Sequence, residues 1–443
     1  PFQVIPGQLF WLPGDEVAPS DFTGGFALAA SLCSPGSSKD PGPARGKVGR
    51  YAVPHYKARL YGRAFGPLAL DQILCFCRGL ETQLALTPKF AVGSRTDDLA
   101  ARTNAAVLLG AYLVLRLGWR VRRVEAAMGA QDARATFPCS WSSKPRGKLQ
   151  VRDCWAGLEQ AVKHGWLDSS CLQSDEATAQ VCTTYRHMVD CYDTSWLVPR
   201  VIMVAGEPEE TAADPNPETF IDVLTPLEPK DTFTSNSAKA SMQVVPKKPE
   251  EGTVLSLASP ASVRSCDSVF KEFDSDFDYE KAACPLEMKS FASYLEGQGV
   301  GFMVRANFCQ EVGMVRSYHH SIFVDRGMQH LDLPVSDYHG SLPTASDVSK
   351  FIAFCKGPAH EGREGVLVHC KAGFGRSVTL ACCLVVERFS IPGRALLGWV
   401  RMARPGAVNT IEQERFIIGL SHAKVTRRLR GPGRSCSTFC NLL

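Results

Sequence analysis

Seventeen cysteines are scattered through this 443-residue chain, yet no two form a C-x-x-C pair and no regular spacing links them. No secretory leader opens the sequence. Together these absences argue against a disulfide framework and for free thiols in a reducing, intracellular compartment, nucleus or cytoplasm. An excess of one charge is also missing. The net charge of +4 is mild, and no concentrated basic stripe appears, so no nucleic-acid partner is expected. Long apolar runs are absent too. The longest, Ala105–Leu115, stops at Arg116, well short of a membrane span. No metal or cofactor motif stands out, and neither is expected. The sequence begins at Pro1, so a preceding segment is expected to be missing, with any targeting signal in it.

What is present is core-forming material. Hydrophobic residues make up 45% and charged residues 21%, as in a soluble globular protein, and the length suits two or three domains. The most informative stretch is VLVHCKAGFGRSVT, residues 366–379. An apolar strand-like run leads into His369 and Cys370. A glycine-rich loop follows (Lys371, Ala372, Gly373, Phe374, Gly375), and Arg376 and Ser377 open an apolar helix-like run. Each part answers a need of thiol-phosphate chemistry. Cys370 is the candidate nucleophile, reactive only as a thiolate. Successive backbone N–H groups in a tight loop make an anion nest, and the following helix N-terminus adds positive potential. Gly373 and Gly375 allow the torsions such a loop needs. Arg376 offers a planar fork for two phosphate oxygens. A bare C-x5-R is a weak signal. A C-x-x-G-x-G-R-S core between a β-run and a helical run is a strong one.

Upstream, Leu9–Leu12 reads as a strand, 34–47 as a Gly/Pro/Ser-rich surface loop, and the stretch from Phe65 turns into a helix. Phe90–Val92 is a short buried strand. GSRTDDLAARTN and the helix AAVLLGAYLVLRLGW follow it. This strand–loop–helix has the outline of the one around Cys370, with Arg102-Thr103-Asn104 where Arg376-Ser377 stands later. It lacks a cysteine. An internal duplication with a chemically silent first copy is the reading, against the blander alternative of two unrelated βα units. Arg116, Arg120, Arg122 and Arg123 read as a solvated helix face. Residues 151–173 read as a helix, followed by a polar bridge to Trp196.

WLVPRVIMVAG (196–206) reads as a strand with a turn, after which the composition shifts. Eight prolines fall within 207–262, and 267–280 adds an acidic run interleaved with aromatics. Such a segment cannot bury enough surface to offset its ordering entropy, so 207–285 reads as a disordered insertion. Beyond it come a helix (MKSFASYLEGQGV), a strand (GFMVRAN), a strand at Gln329–Leu333, and helices at Ala345–Phe354, Ser377–Phe389, Ala395–Met402 and from Ile411 to about Val425. Alternating strands and helices predict a mainly parallel, helix-flanked sheet in an α/β fold.

Expelling an alkoxide from a phosphate monoester needs a general acid. Asp337, in a loop after a strand, is the candidate. Asp332, within the strand, and Asp347, in the first turn of a helix where acids are favoured structurally, are rivals. Hydrolysis of a thiophosphate needs a positioned water, and Gln413 is the candidate, though a Gln opening a helix is ordinarily just solvated. Ser377 suits a hydrogen bond to the cysteine sulfur. His369 suits a structural role in fixing the loop better than that of a base.

At HCKAGFGRS the chain resembles the protein tyrosine phosphatase superfamily. VIPGQLFW, YGRAFGPLAL, RTNAAVLLGAY, WLVPRVIMVAG, VRAN, HLDLPVSD and ARPGAVNTIEQERF, in that order, narrow the resemblance to the cell-division-cycle-14 type of dual-specificity protein phosphatase. That resemblance implies two tandem dual-specificity-phosphatase-like domains joined by a linker helix. The boundaries expected are a non-catalytic domain over 1–165, a linker over 166–195, a catalytic domain over 196–425 and a basic tail over 426–443. It implies Cys370 as phosphocysteine, Arg376 as phosphate ligand, Asp337 as general acid and Gln413 as water-holder. It also implies phosphoprotein substrates left by proline-directed kinases, a cell-cycle or cilium-related role, and the centrosome, cilium or nucleolus as places to find it. The chain departs from the family at Val378, where glycine is usual, in a bridge before Trp196 with few carboxylates, and in a longer loop after Asp337.

Two competing readings are a phosphoinositide phosphatase and a catalytically weak phosphoprotein-binding scaffold. The first is disfavoured by Phe374 standing where a second loop lysine would sit, the second by the intact Cys370, Arg376 and Asp337. The tail KVTRRLRGPGRSCSTFCNLL ends in a box that resembles a prenylation signal at Cys440, with Cys436 and basic residues as second signals, and would attach the chain peripherally to a membrane. The plain alternative is a basic tail whose fourth-last residue happens to be cysteine.

Overall fold

In the computed structural model, the residues described are 2–13, 25–29, 66–87, 89–94, 99–137, 148–167, 174–208, 288–311, 317–336, 342–359 and 362–425. Two sheets organise the chain. The first has strands β1 (Phe2–Ile5), β2 (Leu9–Leu12), β3 (Gly25–Leu28) and β4 (Phe90–Gly93), in the order β1-β2-β4-β3. β1 and β2 form an antiparallel hairpin, and β4 runs parallel to both β2 and β3. Helices α1 (Leu70–Leu86), α2 (Leu99–Leu115), α3 (Val121–Met128) and α4 (Val151–Lys163) complete this half.

The second sheet holds β5 (Thr194–Val198), β6 (Ile202–Ala205), β7 (Val300–Arg305), β8 (Gln329–Asp332) and β9 (Gly365–His369), in the order β5-β6-β9-β7-β8. Again a hairpin, β5–β6, sits at one edge, and the remaining pairings are parallel. The shared plan is a hairpin whose second strand pairs with the strand that feeds the loop. β4 and β9 occupy that equivalent place, so the fold repeats across the two halves. β9 has parallel neighbours on both edges and is buried throughout, which is why GVLVH reads as a continuous apolar run and not as an alternation.

The bridge before Trp196 is not simply polar linker. Asp175–Tyr192 forms helix α5, capped by the Ser174 hydroxyl accepting from Ala177 N, and it stops at Asp193 in the left-handed region with φ 47°. Two further extents differ from expectation. Residues 151–173 give a helix only over Val151–Lys163, and α10 (Ile411–Ile418) ends well before Val425. Between them in the chain lie α6 (Met288–Gly297), α7 (Ala345–Phe354), α8 (Arg376–Phe389) and α9 (Gly393–Ala403). Residues 209–287, most of the expected insertion, fall outside the described residues.

The halves meet where two helices touch backbone to backbone. A Cβ on Gly157 of α4 would stand 2.5 Å from Trp399 N, and one on Gly398 of α9 would stand 2.2 Å from Asp153 O. Only glycine permits that approach. Trp155 and Trp399, both fully buried, flank the crossing, and Trp399 Nε1 donates to Leu197 O at 2.7 Å. Arg394 pairs with Asp153 at 3.0 Å, and Arg401 donates to Gly66 O at 2.9 Å across the same boundary. On the far side, α1 and α5 are joined by Arg186 and Asp71 at 2.6 Å. These contacts fix the helix layer behind the cysteine loop.

Candidate active site

The loop between β9 and α8 wraps around Cys370. Gly373 N donates to Cys370 Sγ at 3.3 Å, and Ser377 Oγ lies 3.3 Å from the same sulfur. Both groups can stabilise negative charge on sulfur. Gly373 has φ 72°, and a Cβ there would come within 2.4 Å of the Ala205 backbone at the end of β6. No other residue fits that place. Gly375 precedes α8, and Thr379 Oγ1 donates back to its carbonyl at 2.7 Å, which ties the first helical turn to the loop. Arg376, Ser377 and Val378 are all buried in that first turn, so Val378 packs into the core without disturbing the loop.

Each cationic side chain of the loop meets a carboxylate. Arg376 forks onto Glu311 through Nη1 and Nη2, and Nη1 also donates to Val335 O at 3.3 Å. Lys371 Nζ lies 2.7 Å from Glu207 Oε2, with both side chains buried. Glu207 was expected to begin the disordered insertion. It instead continues the exit of β6: its N–H donates to Lys371 O at 3.1 Å, and its carboxylate also accepts from Asn307 Nδ2 at 2.9 Å and from Ser317 Oγ.

Behind the loop sits Arg404, fully buried. Nε donates to Gly373 O at 3.3 Å, Nη2 to Ala372 O at 3.4 Å and Nη1 to Asp193 O at 2.8 Å, while its guanidinium stacks 4.9 Å from the Phe374 ring. Nη1 also lies 2.8 Å from Asp193 Oδ1. One side chain thereby ties the loop's carbonyls to the end of α5. Phe374 is buried, with its carbonyl accepting from Val408 N at 2.7 Å.

Gln413 stands in the first turn of α10, its N–H bonded to Thr410 Oγ1 at 3.2 Å. It is buried, not solvated, and its carboxamide lies against the loop: a Cβ on Gly375 would meet Gln413 Nε2 at 2.7 Å. Its Oε1 has no hydrogen-bond partner among the described residues. A buried acceptor beside the loop is suited to holding a water.

His369 closes β9, fully buried, with Nε2 2.5 Å from Tyr318 OH. Burial, reinforced by the Arg305 charge, pushes its pKa well below the usual histidine value, so the ring is neutral. That suits packing behind the loop and not proton transfer. Arg305 in turn is committed to Asp332 at 2.6 Å, Ser317 and Tyr318 O. Asp332 is thereby occupied, and Asp347 caps α7 by accepting from Thr344 N at 2.8 Å. Both rivals to Asp337 have structural employment. Asp337 itself, and Cys436 and Cys440 in the tail, lie outside the described residues.

The residues that sequence reading left without a role are Glu207, Glu311, Arg305, Tyr318 and Arg404. Arg404 lies inside the quoted ARPGAVNTIEQERF stretch, and an arginine beside Pro-Gly is a readable signal of a fixed turn. Glu207 and Glu311 gave none, because their partners are far away in sequence. In the first half, Arg102 Nε at 3.1 Å and Nη2 at 2.8 Å both donate to Asp132 Oδ1, and Trp11 Nε1 donates to Oδ2 of the same carboxylate at 2.9 Å. The arginine of the cysteine-less copy is thus committed to a protein carboxylate.

Comparison with known proteins places these features. Residues 55–161 match the family described as dual specificity protein phosphatase, N-terminal half. Residues 314–417 match the Swiss Army Knife protein, DSP-PTPase phosphatase domain. The chain is similar to dual specificity protein phosphatase CDC14A of Mus musculus, at 25% identity over 78% of this chain and 44% of that protein. It is similar to CDC14A of Homo sapiens at 25% over 78% of this chain and 45% of the relative. CDC14C of Homo sapiens is 23% identical over 86% of this chain and 69% of that protein. The chain therefore spans less than half the length of the two CDC14A relatives.

Proposed function

We propose that this chain, a member of the CDC14-type dual-specificity protein phosphatases, hydrolyses phosphate monoesters on proteins through a phosphocysteine at Cys370. The observation that carries the reading is the convergence on one sulfur of Gly373 N–H and Ser377 Oγ, with Arg376 at the head of α8 beside them. In the proposed first step Cys370 Sγ attacks phosphorus, the S–P bond forms and the P–O bond to the substrate breaks. The loop's N–H groups and the Arg376 fork hold the phosphoryl oxygens as charge develops. Asp337 gives its proton to the leaving oxygen. Two residues before it in the sequence, the Val335 carbonyl accepts from Arg376 and the Val335 N–H bonds to Ala306 O at 2.9 Å. In the second step a water attacks phosphorus, the S–P bond breaks and inorganic phosphate leaves. Gln413 Oε1 orients that water, and Ser377 supports the departing thiolate.

The substrates proposed are phosphoproteins carrying phosphoserine or phosphothreonine followed by proline, and phosphotyrosine, by family resemblance. An intracellular location is supported by the described cysteines, all of which are free thiols. No described helix is long and apolar enough to cross a membrane. Peripheral attachment through Cys440 remains a proposal on the tail sequence, tested by the intact mass of protein from a eukaryotic cell. A panel of phosphopeptides that varies the residue after phosphoserine tests the specificity. Preferred turnover of the proline series supports the reading, and indifference to that residue overturns it.

A further inference from the structure

Lys371 and Arg376 are the two cations of the loop, and their carboxylate partners differ in kind. Arg376 meets Glu311, whose side chain keeps 14% of its surface in water, so a phosphate can exchange with that carboxylate. Lys371 meets Glu207 with only 2% of the carboxylate's side-chain surface exposed. That carboxylate is also held by Asn307 and Ser317, from the segment after β7, and its own backbone is bonded to the loop. Ser317 is anchored in turn by Arg305 Nη1 at 2.9 Å. Releasing Lys371 would strand a buried carboxylate among groups arranged for it, which is costly. Lys371 is also the sole lysine between Cys370 and Arg376.

We propose that Glu207 is a specificity-determining residue: by clamping Lys371 it withholds the loop's lysine charge from the substrate. The inference rests on the phosphatase reading and deepens it. An ammonium on a four-carbon stem is a mobile point charge that serves any nearby anion. Left free beside the loop, it would favour ligands with several phosphates. Clamped, it leaves recognition to the backbone nest and the single Arg376 fork, which suit one phosphate on a peptide. The clamp thus disfavours polyphosphorylated headgroups without any steric barrier.

The test is a double-substitution cycle of Glu207→Gln, Lys371→Met and both together, with thermal melts to establish that each variant is folded. Inorganic phosphate binding is titrated calorimetrically in a Cys370→Ser background, where turnover plays no part. Hydrolysis of a monophosphorylated peptide and of short-chain phosphatidylinositol bisphosphate is then compared with Cys370 intact. Glu207→Gln is expected to tighten phosphate binding about tenfold and to raise the headgroup-to-peptide ratio of kcat/KM about tenfold, one unit of a single unscreened contact. Lys371→Met in the same chain is expected to cancel both gains. Unchanged or weaker phosphate binding in folded Glu207→Gln overturns the clamp. So does a gain that survives Lys371→Met. If the unsubstituted protein turned over neither substrate, the phosphatase reading would fail, while the calorimetry would still decide the clamp.

Discussion

Gln413 lies with its carboxamide against Gly375, so close that a single added methyl group at Gly375 would stand 2.7 Å from Gln413 Nε2. This contact joins the first turn of α10 to the loop that holds Cys370. It predicts a split between the two chemical steps. Gln413→Ala should leave formation of the phosphocysteine nearly intact and slow its hydrolysis about 100-fold, the order expected for a misplaced reactant. Pre-steady-state kinetics on an aryl phosphate should then show a burst followed by a slow phase. A uniform loss of both phases would remove the water-holding role.

Asp337→Ala should cost most where the leaving group is poor. The expected loss in kcat/KM is about 100-fold or more on phosphoserine peptide and far less on an activated aryl phosphate. Equal losses on both would show that Asp337 acts in some way other than as the acid.

Arg404 holds two loop carbonyls, the carbonyl of Asp193 and the Asp193 carboxylate. Arg404→Met keeps volume and removes every one of these bonds. It should destabilise the protein by about 2 kcal/mol or more, since two loop carbonyls and a half-buried carboxylate lose their partner. Denaturant unfolding measures this. Because the carbonyls belong to the loop, kcat should fall as well, even at temperatures where the variant is folded.

Cys75 on α1 faces Cys182 on α5 at 4.0 Å, and Arg186 Nη2 lies 3.6 Å from its sulfur. The hydrogen bond from Cys182, with the Arg186 charge, lowers its pKa to about 7 despite partial burial. Its alkylation by iodoacetamide should therefore rise through about pH 7, with Arg186→Gln moving the inflection upward. Peptide-level mass spectrometry across pH reads this. An inflection at the ordinary thiol value in the unsubstituted protein would contradict it.

His330 and His369 should shape the acid limb of stability. Burial pushes His330 down to about 4 and His369 well below its usual value. Both imidazoles bind protons more tightly in the unfolded chain, so unfolding takes up protons and stability falls as pH drops below the unfolded value of about 6.5. Above that pH their contribution is flat. Melting temperatures at pH 7.5, 6.5 and 5.5 should fall mostly over the lower interval, and His330→Asn should shallow that fall; an unchanged slope in His330→Asn would contradict this.

The geometry of the cysteine loop was legible because it is local. Cys370, the two glycines, Arg376 and Ser377 lie within eight residues, and strand and helix periodicities flank them. The repeated fold was legible for the same reason, as a second strand–loop–helix outline. Helix α5 was hidden because its mixed polar surface lacks a clear apolar stripe, and of its apolar residues it fully buries only Cys182, Met188 and Val189. The clamp on Lys371 was hidden because Glu207 opens a segment whose composition is that of a disordered chain. Its ordering comes from partners 100, 110 and 164 residues away, and no sequence period records such pairings.

The central claim is that Cys370 carries the phosphoryl group. Acid-quenching the protein during turnover of a phosphopeptide, followed by peptide mass spectrometry, tests it directly. The peptide containing Cys370 should appear heavier by one phosphoryl group, the adduct should accumulate in Gln413→Ala, and it should vanish in Cys370→Ser together with turnover. Turnover that persists in Cys370→Ser, or a phosphoryl group trapped on another residue, would contradict the account.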